Sequence, residues 1–250
     1  MTQLAGRTIL IAGASAGLGA GFAKLLAREG AQVVLGARRL DRVERLAAEI
    51  GDAALAIRLD VTDEASVVAA YTAAEVRFGH VDGIVCNAGT GTGGRSTDVA
   101  EAGLRQVVDT NLLGAYLVAR EGARRLIAHG SRENEKGRIV LIGSITAQQN
   151  GTGDAMYAAT KAGIAHLTRQ FAKEWIRQGI NVNCLQPGWI PSEINADWFA
   201  SERGKADVEG LHRRRLLESG ALDDMLVYLL SDRSRQVTGS TFTIDDGQSL

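Results

Sequence analysis

Arg7-Thr8-Ile9-Leu10-Ile11-Ala12-Gly13-Ala14-Ser15-Ala16-Gly17-Leu18-Gly19 is the stretch that decides the fold. Its first half is a short apolar run with no polar interruption after Thr8, the pattern of a buried strand. Its second half is a glycine-rich turn, and apolar residues then recur at helical spacing through Ala23, Leu25, Leu26 and Ala27. A glycine turn between a strand and a helix is the context a dinucleotide-binding fingerprint requires. The glycines let the backbone turn tightly and approach a pyrophosphate, and the helix N-terminus supplies free N–H groups to the anion. The spacing here is Gly-x3-Gly-x-Gly rather than the commoner Gly-x-Gly-x2-Gly. Alone, such a turn also fits a plain tight connection.

The rest of the chain repeats the theme. Short β-rich runs at 7–12, 32–36, 54–59, 81–86, 138–143, 180–185 and 240–244 alternate with helical patterns at 17–29, 39–50, 63–78, 98–128, 154–178 and 220–231. This alternation implies an α/β fold. The expected form is a doubly wound parallel sheet of about seven strands, Rossmann-like, with right-handed crossovers and helices on both faces. Residues 1–250 read as one domain without linker or repeat. In such sheets ligands bind beyond the C-terminal ends of the strands. The glycine turn, Asn87-Ala88-Gly89, Ser144 and Pro187-Gly188 all follow strands, so all fall on that edge.

Tyr157 and Lys161 stand four residues apart in the predicted helix 154–178, and Ser144 ends the apolar run Ile139-Val140-Leu141-Ile142-Gly143. Positions i and i+4 share a helical face, so phenol and ammonium can point into one cleft. A nearby cation favours the phenolate and draws the tyrosine pKa toward neutrality. A serine hydroxyl there can bond a substrate oxygen. The same spacing also occurs in ordinary helices with a solvated lysine.

Taken together, these motifs resemble the short-chain dehydrogenase/reductase family, over essentially the whole chain. Gly13, Gly17 and Gly19 match its glycine motif; Asn87-Ala88-Gly89, Asp60-Val61 and Pro187-Gly188 match its other cofactor motifs; Asn111, Ser144, Tyr157 and Lys161 match its catalytic set. The resemblance implies hydride transfer between a nicotinamide cofactor and a carbonyl or secondary alcohol, as in 3-oxoacyl reductase-like members. Tyr157 would be the general acid/base, Ser144 would bond the reacting oxygen, Lys161 would bond the nicotinamide ribose, and Asn111 would hold a relay water. It further implies that Ser15, Ala16 and Leu18 complete the pyrophosphate turn. Asp60 and Val61 would meet the adenine, Asn87 to Gly89 the ribose, and Ile190 and Ser192 the carboxamide. Departures are Ala12 for a usual threonine, Cys86 for a usual asparagine, Asp245-Asp246-Gly247 for Asp-Gly-Gly, and a long charged stretch from Gly130 to Lys136. Epimerase or imine-reductase chemistry, or a non-catalytic NADP(H)-binding regulatory role, remain alternatives on the same fold.

The second strand ends Leu35-Gly36-Ala37-Arg38-Arg39. An NAD enzyme of this type carries an acidic residue there for the ribose 2′-hydroxyl. Ala37 followed by two arginines instead suits a 2′-phosphate, with Ser15 as an added donor, so NADP(H) is expected over NAD(H). Arg38 is assigned to the phosphate and Arg39 to stacking on the adenine.

Composition narrows the remaining classes. The net charge is −1 with no long basic block, so nucleic acid is not an expected partner. The densest basic run, Arg213-Arg214-Arg215, reads as a solvated helix face. Two cysteines, Cys86 and Cys184, read as buried free thiols, and no metal site is expected. No signal peptide and no membrane span are visible, which places the expected protein in the cytoplasm. Residues 189–215 are the least regular part and are expected to cover the substrate. Trp189, Trp198 and Phe199 there either line a pocket or anchor the flap. A homotetramer is expected from the resemblance, using helices near 98–128 and 154–178 and the C-terminal edge strand.

Overall fold

The computed structural model describes residues 2–192 and 195–250. Seven strands form one parallel sheet: β1 Thr8–Ala12, β2 Gln32–Ala37, β3 Ala54–Arg58, β4 Gly83–Cys86, β5 Gly137–Ile142, β6 Ile180–Pro187 and β7 Thr241–Ile244. Their order is β3-β2-β1-β4-β5-β6-β7, and every pair is parallel. The direction of winding reverses between β1 and β4, which opens the crevice expected of this topology.

Period-two alternation sends each strand's residues to two cores. Leu10, Val34, Ile84, Ile139 and Leu141 pack under α3 (Glu64–Phe78), α5 (Gly114–Ala128) and α7 (Ala155–Trp175). Ile9, Ile11, Val33, Leu35, Val140 and Ile142 pack under α1 (Gly17–Arg28), α2 (Leu40–Ile50) and α10 (Asp223–Leu230). Because both faces are covered, the strands read as continuous apolar runs rather than alternating ones. Cys86 and Cys184 are buried free thiols within the first core. Burial pushes them up to about 12 and about 11, so both stay protonated and inert.

The expected helix 98–128 is not uniform. It begins at α4 (Glu101–Val108), widens into a π-helical turn at Asp109–Leu113, and continues as α5. The chain packs tightly beside this turn: a β-carbon on Gly114 would lie 2.6 Å from Val61 Cγ2. Such a turn adds a residue to the helical register and re-aims the side chains within it. The charged stretch after Gly130 folds into a short helix, α6 (Ser131–Asn134), whose Ser131 hydroxyl donates to Gln178 O at 2.6 Å. The helices α8 (Ala196–Ala200) and α9 (Glu202–Glu209) lie in the 189–215 segment. Helix α9 ends before the arginine run, so Arg213 to Arg215 are not a helix face, contrary to expectation. Arg213 and Arg215 pair instead with Asp246, and Arg214 with Glu209. None of the described helices is long and apolar enough to cross a membrane.

Candidate active site

The glycine turn is fixed by backbone contacts. Gly13 N–H and Ala14 N–H both donate to Gly36 O, at 2.8 and 3.1 Å. Gly13 has φ +89°, and a β-carbon there would lie 2.7 Å from the Ala88 backbone. A β-carbon on Gly19 would overlap the Gly13 carbonyl oxygen, which Asn87 Nδ2 also reaches at 2.9 Å. The turn is therefore held against Asn87-Ala88 with no space for side chains, which leaves the start of α1 bare for an anion. Across the cleft a β-carbon on Gly17 would stand 3.8 Å from Ser192 Cβ, so the two sides lie close.

At the end of β2, Arg38 and Arg39 are exposed. Arg39, rather than Arg38, joins Ser15: its Nη2 and Nε donate to the Ser15 hydroxyl at 2.9 and 3.2 Å. Arg38 lies on the Asp60 side. Burial opposes charge on Asp60, but Thr62 N–H and Thr62 Oγ1 both donate to it, and Arg38 and Arg58 stand nearby. The balance holds its carboxyl below the usual value.

The residues expected to be catalytic gather near the ends of β4 and β5. Ser144 is half of a tight turn in which Thr146 N–H and Thr146 Oγ1 both donate to its oxygen, at 3.2 and 2.9 Å. A hydroxyl has two lone pairs and one hydrogen, so Ser144 has only its O–H left to give. The Tyr157 phenol lies beside it. Burial pushes that phenol above its ordinary value; Ser144 opposes the rise and Asp154 adds to it. Lys161 Nζ lies 5.4 Å from the Tyr157 ring centre and donates to Ile142 O at 2.8 Å. Burial pushes Lys161 down to about 8, with Cys184 opposing. The expected lowering of the tyrosine pKa by Lys161 is thus not what this geometry produces. Desolvation is the largest influence on the phenol, and the Lys161 ammonium donates to the Ile142 carbonyl instead.

Asn111, in the middle of the π-helical turn, is 1% exposed. Its Oδ1 accepts from Thr90 N–H at 2.8 Å, and its Nδ2 donates to Thr90 O and to Thr160 Oγ1, at 2.9 and 3.2 Å. The carboxamide ties the loop after β4 to α7, a role that sequence reasoning did not foresee. A β-carbon on Gly89 would lie 3.5 Å from Asn111 Oδ1 and 3.7 Å from Lys161 Nζ, so all three residues line one recess.

On the opposite wall, Pro187 ends β6 and Gly188 N–H donates to Ile244 O at 2.9 Å. Trp189 N–H donates to Gln248 Oε1 at 2.6 Å. Ile190 is buried, and its carbonyl accepts from Asn195 Nδ2 at 2.9 Å, while Asn195 Oδ1 accepts from Ser192 N–H at 2.7 Å. The rings of Trp189 and Phe199 meet at 5.9 Å, which favours the anchoring role for that pair, whereas Trp198 is exposed under Arg203. Gln248 and Asn195 carried no signal in the sequence, because neither belongs to a motif.

A family model described as enoyl-(acyl carrier protein) reductase matches residues 13–249. The chain is 33% identical to oxidoreductase UcpA of Salmonella typhimurium over 262 residues, covering all of this chain and 97% of that one. It is similar to a short-chain type dehydrogenase/reductase from Mycobacterium marinum, with TM-score 0.90, 31% identity, and 99% and 97% of the two chains covered. It is equally similar to 3-ketoacyl-(acyl-carrier-protein) reductase from Brucella melitensis, solved with NADH, with TM-score 0.90, 32% identity, and 99% and 100% covered. With that match in sequence and fold, and with the glycine turn and the Ser144–Tyr157–Lys161 group on one sheet edge, the chain belongs to the short-chain dehydrogenase/reductase family of oxidoreductases.

Proposed function

We propose that the protein is an NADP(H)-preferring reductase of carbonyl compounds, reversible as an alcohol dehydrogenase, with Tyr157 as general acid/base. The observation that carries this reading is the pair of donors at one point. The Ser144 and Tyr157 hydroxyls stand side by side; Ser144 can turn its O–H from the phenol to an entering oxygen, and Tyr157, with its pKa raised by burial, keeps its proton at neutral pH. Two O–H donors facing one spot suit a carbonyl oxygen that gains negative charge. Tyr157 gives its proton to that oxygen in reduction and takes it back in oxidation, while Ser144 holds the oxygen in line. The nicotinamide supplies the hydride. Asn111 and Thr160 brace the first turns of α7, fixing the backbone that carries the phenol. Lys161, beside Gly89, lies where its ammonium can reach a ribose hydroxyl once it leaves Ile142 O.

The cradle fits a dinucleotide, since Gly13, Gly17 and Gly19 leave a bare helix start that any β-carbon at Gly13 or Gly19 would obstruct. The preference for the 2′-phosphate rests on Ala37, Arg38, Arg39 and Ser15. The Arg39–Ser15 pair presents a fork and a hydroxyl together, and no carboxylate stands at the end of β2 to repel the phosphate. We assign substrate covering to residues 189–215. We assign homotetramer formation to the faces bearing exposed Leu113, Tyr116 and Ile176 and to edge strand β7.

The test is oxidation of NADPH and of NADH against ketones, aldehydes and 3-oxoesters, with Tyr157→Phe, Arg38→Ala and Arg39→Ala alongside. Tyr157→Phe is expected to lose at least about a hundredfold in kcat with cofactor affinity kept. Each arginine variant is expected to raise the KM for NADPH while leaving that for NADH in place. Turnover that survives in Tyr157→Phe, or a wild-type preference for NADH, refutes the corresponding half of the reading.

A further inference from the structure

Ser144 can serve a carbonyl oxygen only if its hydrogen is free, and the turn after β5 governs where that hydrogen goes. Ser144 has extended backbone and opens a short 3-10 helical turn at Ile145–Ala147. Its side-chain oxygen accepts from Thr146 N–H at 3.2 Å, and its carbonyl accepts from Ala147 N–H at 3.1 Å. An N–H can only donate, so one lone pair of the Ser144 oxygen is filled whichever way the hydroxyls turn. These bonds fix the place of the oxygen and leave its hydrogen free to rotate. Thr146 Oγ1 lies 2.9 Å from Ser144 Oγ, at hydrogen-bond distance, on a half-buried side chain. The branched β-carbon of threonine restricts χ1, so this hydroxyl is held in place at small entropic cost.

Two hydroxyls at that distance share one hydrogen, and which of them donates decides the chemistry. If Ser144 donates to Thr146, its hydrogen is spent inside the turn. If Thr146 donates to Ser144, both lone pairs of Ser144 are filled and its own hydrogen is turned out of the pair. The Tyr157 phenol beside it then finds no acceptor on Ser144 and keeps its proton for an entering oxygen. We propose that Thr146 is a positioning residue: its hydroxyl donates to Ser144 Oγ and so turns the Ser144 O–H toward the reacting oxygen. This role rests on the reading of Ser144 as a donor to a carbonyl oxygen, and it adds a residue that the sequence motifs do not include. Thr146 acts through Ser144, so its effect vanishes where the Ser144 hydroxyl is absent.

Thr146→Val removes the hydroxyl but keeps the shape and the backbone N–H, whereas Thr146→Ser keeps the hydroxyl. With NADPH and the ketones, aldehydes and 3-oxoesters above, Thr146→Val is expected to lose about tenfold in kcat, the scale of one hydrogen bond, with the KM for NADPH unchanged. Thr146→Ser should restore most of that loss. In a Ser144→Ala background, Thr146→Val should lower kcat no further, the non-additivity of two residues acting as one unit. A Thr146→Val enzyme with wild-type kcat, or a loss that persists at full size in the Ser144→Ala background, overturns the proposal, while Tyr157→Phe tests the oxidoreductase reading separately. Neutron diffraction from deuterium-exchanged crystals of the wild type reads the same bond without turnover. Deuterium on Thr146 Oγ1 aimed at Ser144 Oγ supports the proposal, and deuterium on Ser144 Oγ aimed at Thr146 overturns it. If the wild type reduces none of the carbonyl compounds, the oxidoreductase reading fails on that panel, and the deuterium positions still decide the role of Thr146.

Discussion

The two walls of the cleft meet at Gly17 and Ser192 and are held in different ways. The glycine-turn wall is backbone against backbone: Gly13 abuts Ala88, and Gly19 abuts the Gly13 carbonyl. The wall after β6 hangs on side chains from far along the chain. Gln248 accepts from Trp189 N–H and donates to Arg215 O at 3.3 Å, and its own carbonyl accepts from Gln149 Nε2 at 2.6 Å. Asp246 pairs with Arg213 and Arg215. Backbone contacts at the van der Waals limit give a rigid surface that suits the invariant part of a dinucleotide. Side-chain bonds are individually weak and exchangeable, which fits the substrate-covering role proposed for this wall.

That contrast can be broken most sharply on the rigid side. Gly19→Ala should cost about 1–3 kcal/mol of stability through overpacking and weaken cofactor binding at least about tenfold, because the obstacle is a carbonyl that cannot move alone. Fluorescence titration with NADPH and a thermal melt read both, and a variant with wild-type affinity would show that the turn has slack.

Lys161, beside Ile142 and Gly89, gives a test of burial alone. The unfolded chain keeps this lysine protonated up to its usual 10.5, the folded one only to about 8. Its burial therefore costs stability at neutral pH, and the cost fades as pH rises from about 8 to 10.5. Lys161→Met should gain up to about 3 kcal/mol at pH 7, and the difference from wild type should shrink over that window. Melts at pH 7 and pH 9.5 check the sign, and a gap that widens with pH would contradict it.

On the wall after β6, Gln248→Ala leaves Trp189 N–H and Arg215 O without partners, at about 1–3 kcal/mol. We expect a raised KM for the carbonyl substrate, faster hydrogen exchange at Trp189 and Leu217, and an unchanged affinity of the glycine turn for the nucleotide. Equal exchange in the two proteins would mean that the C-terminal turn does not brace this wall. The smallest effect should come from Asp246→Asn. Its ion pairs are on the surface, so the variant should differ from wild type in substrate KM at low salt and converge with it at high salt.

The site was legible where chemistry follows local order. Ser144, Tyr157 and Lys161 belong to one strand end and one helix, so their meeting follows from spacing plus alternation. The role of Asn111 was not legible: its aim depends on a π-helical turn packed tightly against Val61, and no local pattern announces that turn. Arg213 to Arg215 look like any solvated helix face until Asp246 comes within reach from thirty residues away. The direction of the tyrosine pKa was misjudged for the same reason. Four-residue spacing gives proximity to Lys161, but depth of burial and the pull of Ile142 O are tertiary facts.

By itself, the sequence determined the parallel α/β sheet, the edge on which the site lies, and the identities of the groups that can move a proton. These depend on periodicity, glycine sterics and spacing, which act within a few residues. Only the tertiary structure decided which groups meet at Ser144, which arginine joins Ser15, and how the Asn111 carboxamide is held. Those outcomes are set by groups distant in sequence that compete for the same donors and for the same small volume out of water.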